Sequence, residues 1–224
     1  MTGRSAGGIL RIRRVGPGYP MTILETQPVH RTDPHRGFWD FIETRPDEEK
    51  WELIEGQIMM QARPSLVHQV MVVNLQRLLN EGLARSGSTW IALHDPAIDL
   101  RPFITGHTYV PDVAVIDAAT IEPDQNVVDG CYLAAEILSP SDHRKLPGTR
   151  QTKIDVKRAG YEALPLCQAV LLIEQKSRAL TLSVRTGETW TRASLTGDDR
   201  LVLPGFGLEC AVADLYARTP MARG

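Results

Sequence analysis

The most regular run of apolar positions is PSLVHQVMVVNLQRLLNEGLARSG, residues 64–87. His68, Val72, Leu75 and Leu79 recur at i, i+4, i+7 and i+11, which is one stripe of a helix. Pro64-Ser65 supplies an opening signal and Gly87 a stop. Before it, RGFWDFIET predicts a short helix with Phe38, Phe41 and Ile42 on one face. WELIEGQIMM predicts a β-hairpin turning at Glu55-Gly56. After the long helix come four strand-like segments, TWIALHD, AIDLRP, YVPDVAVID and CYLAAEIL. QTKIDVKRAGYEAL predicts a second helix stopped by Pro165, and CQAVLLIEQ a buried strand. ALTLSVRTGETWTRASL reads as a hairpin with Thr186-Gly187 near its turn, and a last strand and a short helix, VADLYAR, follow. Helices and strands in this order fit an α/β chain of the mixed α+β kind, not a repeating βαβ unit.

Residues 1–34 stand apart. They are rich in Gly, Pro and Arg and carry no sustained period, so they read as a flexible tail. Met21 is an alternative start within it, and no apolar segment follows the Arg11–Arg14 cluster as a secretory signal would require. One domain is expected over 35–218, with a short C-terminal tail at 219–224.

Composition narrows the chemistry. The three cysteines, Cys131, Cys167 and Cys210, are far apart and form no CxxC pair, so free buried thiols in a cytoplasmic setting are expected. The six histidines show no HxxxH or HExxH spacing, which argues against a structural zinc. No apolar run approaches the ~20 residues of a membrane span. A net charge of −2 is not that of a basic, non-specific nucleic-acid binder, though a local basic patch remains compatible with it. No GxGxxG or GKS/GKT loop is present, which removes support for the nucleotide-binding folds.

One strand breaks its own pattern. In LAAEILSPSD, Glu136 sits among Leu133, Ala134, Ala135, Ile137 and Leu138. A buried carboxylate needs a partner or gives up its charge. Asp112 precedes another apolar run, VAVID, 24 residues earlier. Two carboxylates converging from neighbouring strands make an all-oxygen site for Mg²⁺ or Mn²⁺. Such an ion can polarise a phosphodiester and lower the pKa of a water. Lys153 and Lys157, spaced i and i+4 on the next helix, would supply positive charge near the phosphate. Each residue alone also has an ordinary reading. Asp112 after Pro111 suits a turn or strand edge, Glu136 an arginine pair, His68 a core histidine, and the lysines a solvated helix face.

Taken together, WELIEGQIMM, PSLVHQ, VPDVAVI, AAEILSPSD, the KxxxY of the second helix and AVLLIEQ resemble one bacterial family. It is the Uma-two-type restriction endonuclease family of the PD-(D/E)XK nuclease superfamily. The similarity spans about residues 36–217. It implies a restriction-endonuclease-like fold, a central mixed sheet flanked by helices with additional β-hairpins. It also implies that Asp112 and Glu136 ligate Mg²⁺ or Mn²⁺, with the Ile137 carbonyl completing the set. Leu138 stands where the superfamily places its lysine. The resemblance moves that role to Lys157, or failing that Lys153, and matches His68 to a polar position that reaches the site. Glu55 matches an acid of the family's turn.

The expected activity is Mg²⁺-dependent endonucleolytic hydrolysis of DNA, by a protein that works as a homodimer in analogy with its superfamily. Arg144, Lys145 and Arg150, beside His143 and Arg158, form a cluster suited to phosphate contact. Two alternatives stay open: an inactive nuclease-fold module that binds nucleic acid or protein, and a hydrolase of another phosphodiester.

Overall fold

The structure is a computed structural model, and it describes residues 34–46 and 49–223. The expected N-terminal tail therefore lies, but for Pro34, outside the described residues. Among the described residues the three α-helices are α1 (Pro34–Ile42), α2 (Leu66–Arg85) and α3 (Lys153–Ala163). Thirteen strands are β1 (Trp51–Ile54), β2 (Gln57–Met60), β3 (Trp90–His94), β4 (Ala97–Asp99), β5 (Thr108–Tyr109), β6 (Val113–Asp117), β7 (Val127–Val128), β8 (Leu133–Leu138), β9 (Ala169–Glu174), β10 (Ala179–Thr186), β11 (Thr189–Thr196), β12 (Arg200–Leu203) and β13 (Leu208–Ala211). The mixed α+β class is what the chain adopts.

A six-stranded sheet in the order β11-β10-β9-β8-β6-β3 forms the centre. Only β8 and β9 run parallel, and α3 is the crossover between them. A five-stranded sheet, β2-β1-β5-β4-β7, packs beside it. The β1–β2 turn places Glu55 and Gly56 both at positive φ, the geometry of a tight two-residue hairpin.

Period-two alternation sends each central strand to two cores. Leu133, Ala135 and Ile137 of β8 pack with Met71, Leu75 and Leu79 of α2 on one face. Ala134 and Leu138 pack on the other face with Ile154, Val156 and Tyr161 of α3 and with Ile54 and Tyr109 of the smaller sheet. Glu136 falls in the second set and so points at α3. Phe38 of α1 covers Trp51 and Leu53, so β1 is enclosed on both faces. The edge strand β3 is protected by α2. Asn80 and Gln76 donate to the carbonyl of Ala92, and Asn80 accepts its N–H.

Three expected elements differ. YVPDVAVID is not one strand. Its first residue, Tyr109, belongs to β5 of the smaller sheet, and Val113–Asp117 enter the central sheet as β6. Pro111, which has no N–H to give a ladder, lies at the break, and Asp112 follows it. AIDLRP pairs only over Ala97–Asp99. The segment before the C-terminus is a β12–β13 hairpin rather than one strand, and VADLYAR winds as a 3₁₀ turn over Val212–Tyr216. The three cysteines are free and buried. Among the described residues no helix is long and apolar enough to cross a membrane.

The α2 helix meets the β12–β13 hairpin at Gly82. A Cβ there would lie 2.7 Å from the Gly207 carbonyl oxygen and 2.8 Å from that of Phe206. Gly82→Ala therefore sets a helix-propensity gain of ~1 kcal/mol against a backbone clash that nothing flexible relieves. Overpacking of this kind costs about 1–3 kcal/mol. Thermal denaturation is expected to show Gly82→Ala melting below the wild-type protein. A higher melting temperature would contradict the close approach.

Candidate active site

The ends of β6 and β8 open into a cleft of about 970 Å³ lined by Asp112, Glu136, Ile137, His68, Lys153 and Lys157. β6 and β8 are antiparallel neighbours with Val113 opposite Ala135, which puts the Asp112 and Glu136 ends of the two strands side by side. The sheet pairing expected for the two acids is thus present. His68 reaches them because Ser65 caps α2 by accepting the His68 N–H, which fixes the first turn over the strand ends.

Asp112 is held through one oxygen. Its Oδ2 accepts the Ile137 N–H at 2.6 Å and lies 3.1 Å from Nε2 of His68. Burial alone would lower the His68 pKa, but the hydrogen bond and charge of Asp112 outweigh it and raise it. Ile137 thus meets Asp112 through its amide.

Glu136 is also held through one oxygen. Its Oε1 lies 2.6 Å from Nζ of Lys157 and accepts the hydroxyl of Tyr161. Lys157 is 1% exposed, and its Nζ is equally close, 2.6 Å, to Oε1 of Glu52. Glu52, on β1, is wholly buried and also accepts the Val110 N–H at 3.0 Å. Lys153 Nζ lies 2.9 Å from its other oxygen and 3.8 Å from Asp142. Glu52, rather than the Glu55 of the same hairpin, is the acid that meets the two lysines.

The charges do not balance. Burial pushes Glu52 up, but Lys157 and Lys153 outweigh it and bring its pKa down to about 2. Burial drives Glu136 up to about 7: the shared Lys157 cannot compensate it fully, and Asp112 and Glu52 repel its charge. Burial disfavours the Lys157 ammonium, yet Glu136 and Glu52 hold its pKa well above the ordinary lysine value. Burial and the same two carboxylates keep the Tyr161 phenol protonated, so it remains a donor. Four carboxylates, Asp112, Glu136, Glu52 and Asp142, face two ammonium groups, with His68 able to offset the remainder in part.

Among the described residues no group of three or more His, Cys, Asp or Glu side chains is arranged to hold a metal ion. Mg²⁺ does not need one, because it keeps several waters and binds through one or two carboxylates. Asp112 Oδ1 and Glu136 Oε2 have no partner within the described residues, and both acids line the cleft. These hard oxygen donors and the unmatched negative charge fit a divalent cation.

The remaining candidates lie elsewhere. Leu138 is buried in the second core, so the superfamily's lysine position is apolar here. Arg144, Lys145 and Arg150 are exposed on the segment between β8 and α3 and do not line the cleft. Glu55, at the hairpin turn, has His107 Nε2 at 3.8 Å and is likewise outside the cleft.

The family model Uma2, described as "Putative restriction endonuclease", matches residues 39–213. The fold is similar to a crystal structure from Anabaena variabilis ATCC 29413, described as a putative nuclease belonging to DUF820. The TM-score is 0.60 at 18% sequence identity, covering 79% of this chain and 95% of that one. No curated protein matches the sequence.

The raised Glu136 pKa has a signed consequence. Between about 4.5 and 7 the native state holds a proton that the unfolded state has released. Stability from this group is present below about 4.5 and is lost as pH rises through 7. Glu52 acts oppositely: its contribution is present above about 4.5 and is lost as pH falls towards 2. In chelator, Glu136→Gln is therefore expected to melt close to wild type at pH 5 and about 3–6 °C above it at pH 8. Melting curves at the two pH values check this, and a pH-independent difference would contradict it.

Proposed function

The chain belongs to the Uma2 family, and from that premise we propose that it is a Mg²⁺-dependent nuclease that hydrolyses phosphodiester bonds of DNA. The observation that carries this reading is the convergence of Asp112 and Glu136 from adjacent strands into one cleft, each with one oxygen unengaged by the chain. A bound Mg²⁺ or Mn²⁺ would supply neutralisation of the two carboxylates, polarisation of the phosphodiester and a more acidic water.

The protein's own groups do the rest. The Ile137 amide and His68 fix Asp112 by Oδ2, so that Oδ1 would be the atom left to hold the cation. Lys157 and Tyr161 fix Glu136 by Oε1 in the same way. Both lysines line the cleft, and Lys153, with a side chain 15% exposed against 2% for Lys157, is the amine more open to a substrate. Its charge stabilises the oxygens of the pentacoordinate phosphorus as water adds and the P–O bond to the leaving oxygen breaks. Lys157 acts from behind, through Glu136. In this proposal Lys153, rather than the Lys157 that the resemblance puts first, stands nearest the substrate.

The experiment is cleavage of double-stranded and single-stranded DNA, with RNA alongside, by purified protein in Mg²⁺ or Mn²⁺. Wild type is expected to cut DNA, and chelator to stop it. Asp112→Ala and Glu136→Ala are each expected to lose about two orders of magnitude or more in rate. Equal cleavage by wild type and both variants would overturn the reading, because a contaminant would explain it. Cleavage of RNA alone would keep the site and overturn the substrate.

A further inference from the structure

We infer that Glu52 is a positioning residue that draws Lys157 away from Glu136 and so keeps the Asp112–Glu136 site open to a divalent cation. The inference rests on the metal-dependent reading above. It starts from a symmetry of distances. The Lys157 ammonium is 2.6 Å from Glu136 and 2.6 Å from Glu52, so it bridges two anions from opposite sheets. A cation arriving beside Glu136 repels that ammonium. Lys157 is buried and cannot swing into water to escape. It needs a second anion within the reach of the same rotamer, and Glu52 already stands there.

Glu52 is built to stay in place while this happens. It is wholly buried on a strand covered on both faces, and the Val110 N–H anchors its Oε1. Val110 is two residues before Asp112, so the same carboxylate also holds the backbone that carries the other acid. Lys153 lies against the second oxygen, Oε2, which has no aligned hydrogen bond, so this amine remains available to the cleft. Without the charge of Glu52, Lys157 would settle on Glu136 and compete with the metal.

A direct through-space effect of Glu52 on the metal would also lower affinity on mutation, so the test has to separate the two routes. Mn²⁺ affinity of the full chain is measured by calorimetry for wild type, Glu52→Gln, Lys157→Met and the double variant, each checked for folding by its melting curve. Glu52→Gln retains an oxygen for the Val110 N–H and removes only the charge. It is expected to weaken Mn²⁺ binding about tenfold in the presence of Lys157 and less than about twofold in its absence, the signature of coupled residues. Lys157→Met alone is expected to bind Mn²⁺ several-fold more tightly than wild type while cleaving DNA more slowly. That arm tests the premise that Lys157 competes with the cation, and its failure overturns the inference even if Glu52→Gln fails to fold. An equal loss from Glu52→Gln in both backgrounds, or weaker binding by Lys157→Met, overturns the inference. If wild type binds Mn²⁺ and Asp112→Ala does not, such a result leaves the metal site standing and removes only the role of Glu52. If wild type binds no Mn²⁺ even with DNA present, the metal-dependent reading itself fails.

Discussion

A single buried ammonium joins the two sheets of this protein. Lys157 enters from α3, meets Glu136 on the central sheet and Glu52 on the smaller one, and is almost wholly removed from water. Three such charges in a low-dielectric interior are tolerated only because each has a partner. Much of the surrounding architecture serves that requirement. Tyr161, one turn further along α3, gives Glu136 a second donor. Gly160 makes room for Tyr109, whose ring would lie 2.5 Å from an added Cβ, and Tyr109 and Tyr161 pack edge to face beside the lysine. The capping box of Thr152 and Asp155 starts α3 so that Lys153 and Lys157 share the face towards Glu52.

The electrostatic arrangement is deliberately incomplete in one respect. Within the described residues Asp112 and Glu136 are each gripped through one oxygen only. Both line the cleft, and the carboxylates outnumber the ammonium groups. A core ion pair serving stability alone would not open onto a cavity of about 970 Å³. That pattern supports the proposal of a site held in shape by the protein and completed by a divalent cation. The strand break at Pro111 serves the same end. By passing from one sheet to the other there, the chain sets Asp112 at a sheet end rather than within a ladder.

Much of this was legible in the residues, and what was not has physical reasons. Periodicity marked α2 and α3 because their apolar stripes are long, and Ser65 and Pro165 mark where one begins and the other stops. Asp112 and Glu136 stood out because a carboxylate in an apolar run is costly wherever the fold puts it. Glu52 presents a similar anomaly, an acid within WELI, but alternation in a hairpin usually turns such an acid to solvent. Only the packing of α1 on one face of β1 and of the second core on the other makes it buried. Helix spacing placed the two lysines on one face, and only the resemblance put Lys157 ahead of Lys153, since the distance from each amine to each carboxylate depends on how α3 sits across the sheet. The split of YVPDVAVID depended on a second sheet that local pattern does not announce.

The central claim is that Asp112 and Glu136 take up a divalent cation while Lys157 is retained by Glu52. Anomalous diffraction from crystals soaked in Mn²⁺ tests it most directly. The account predicts a manganese peak contacted by both carboxylates, with the Lys157 amine withdrawn from Glu136 and still paired with Glu52. A peak elsewhere, or none, with Lys157 bridging the two glutamates unchanged, would contradict it.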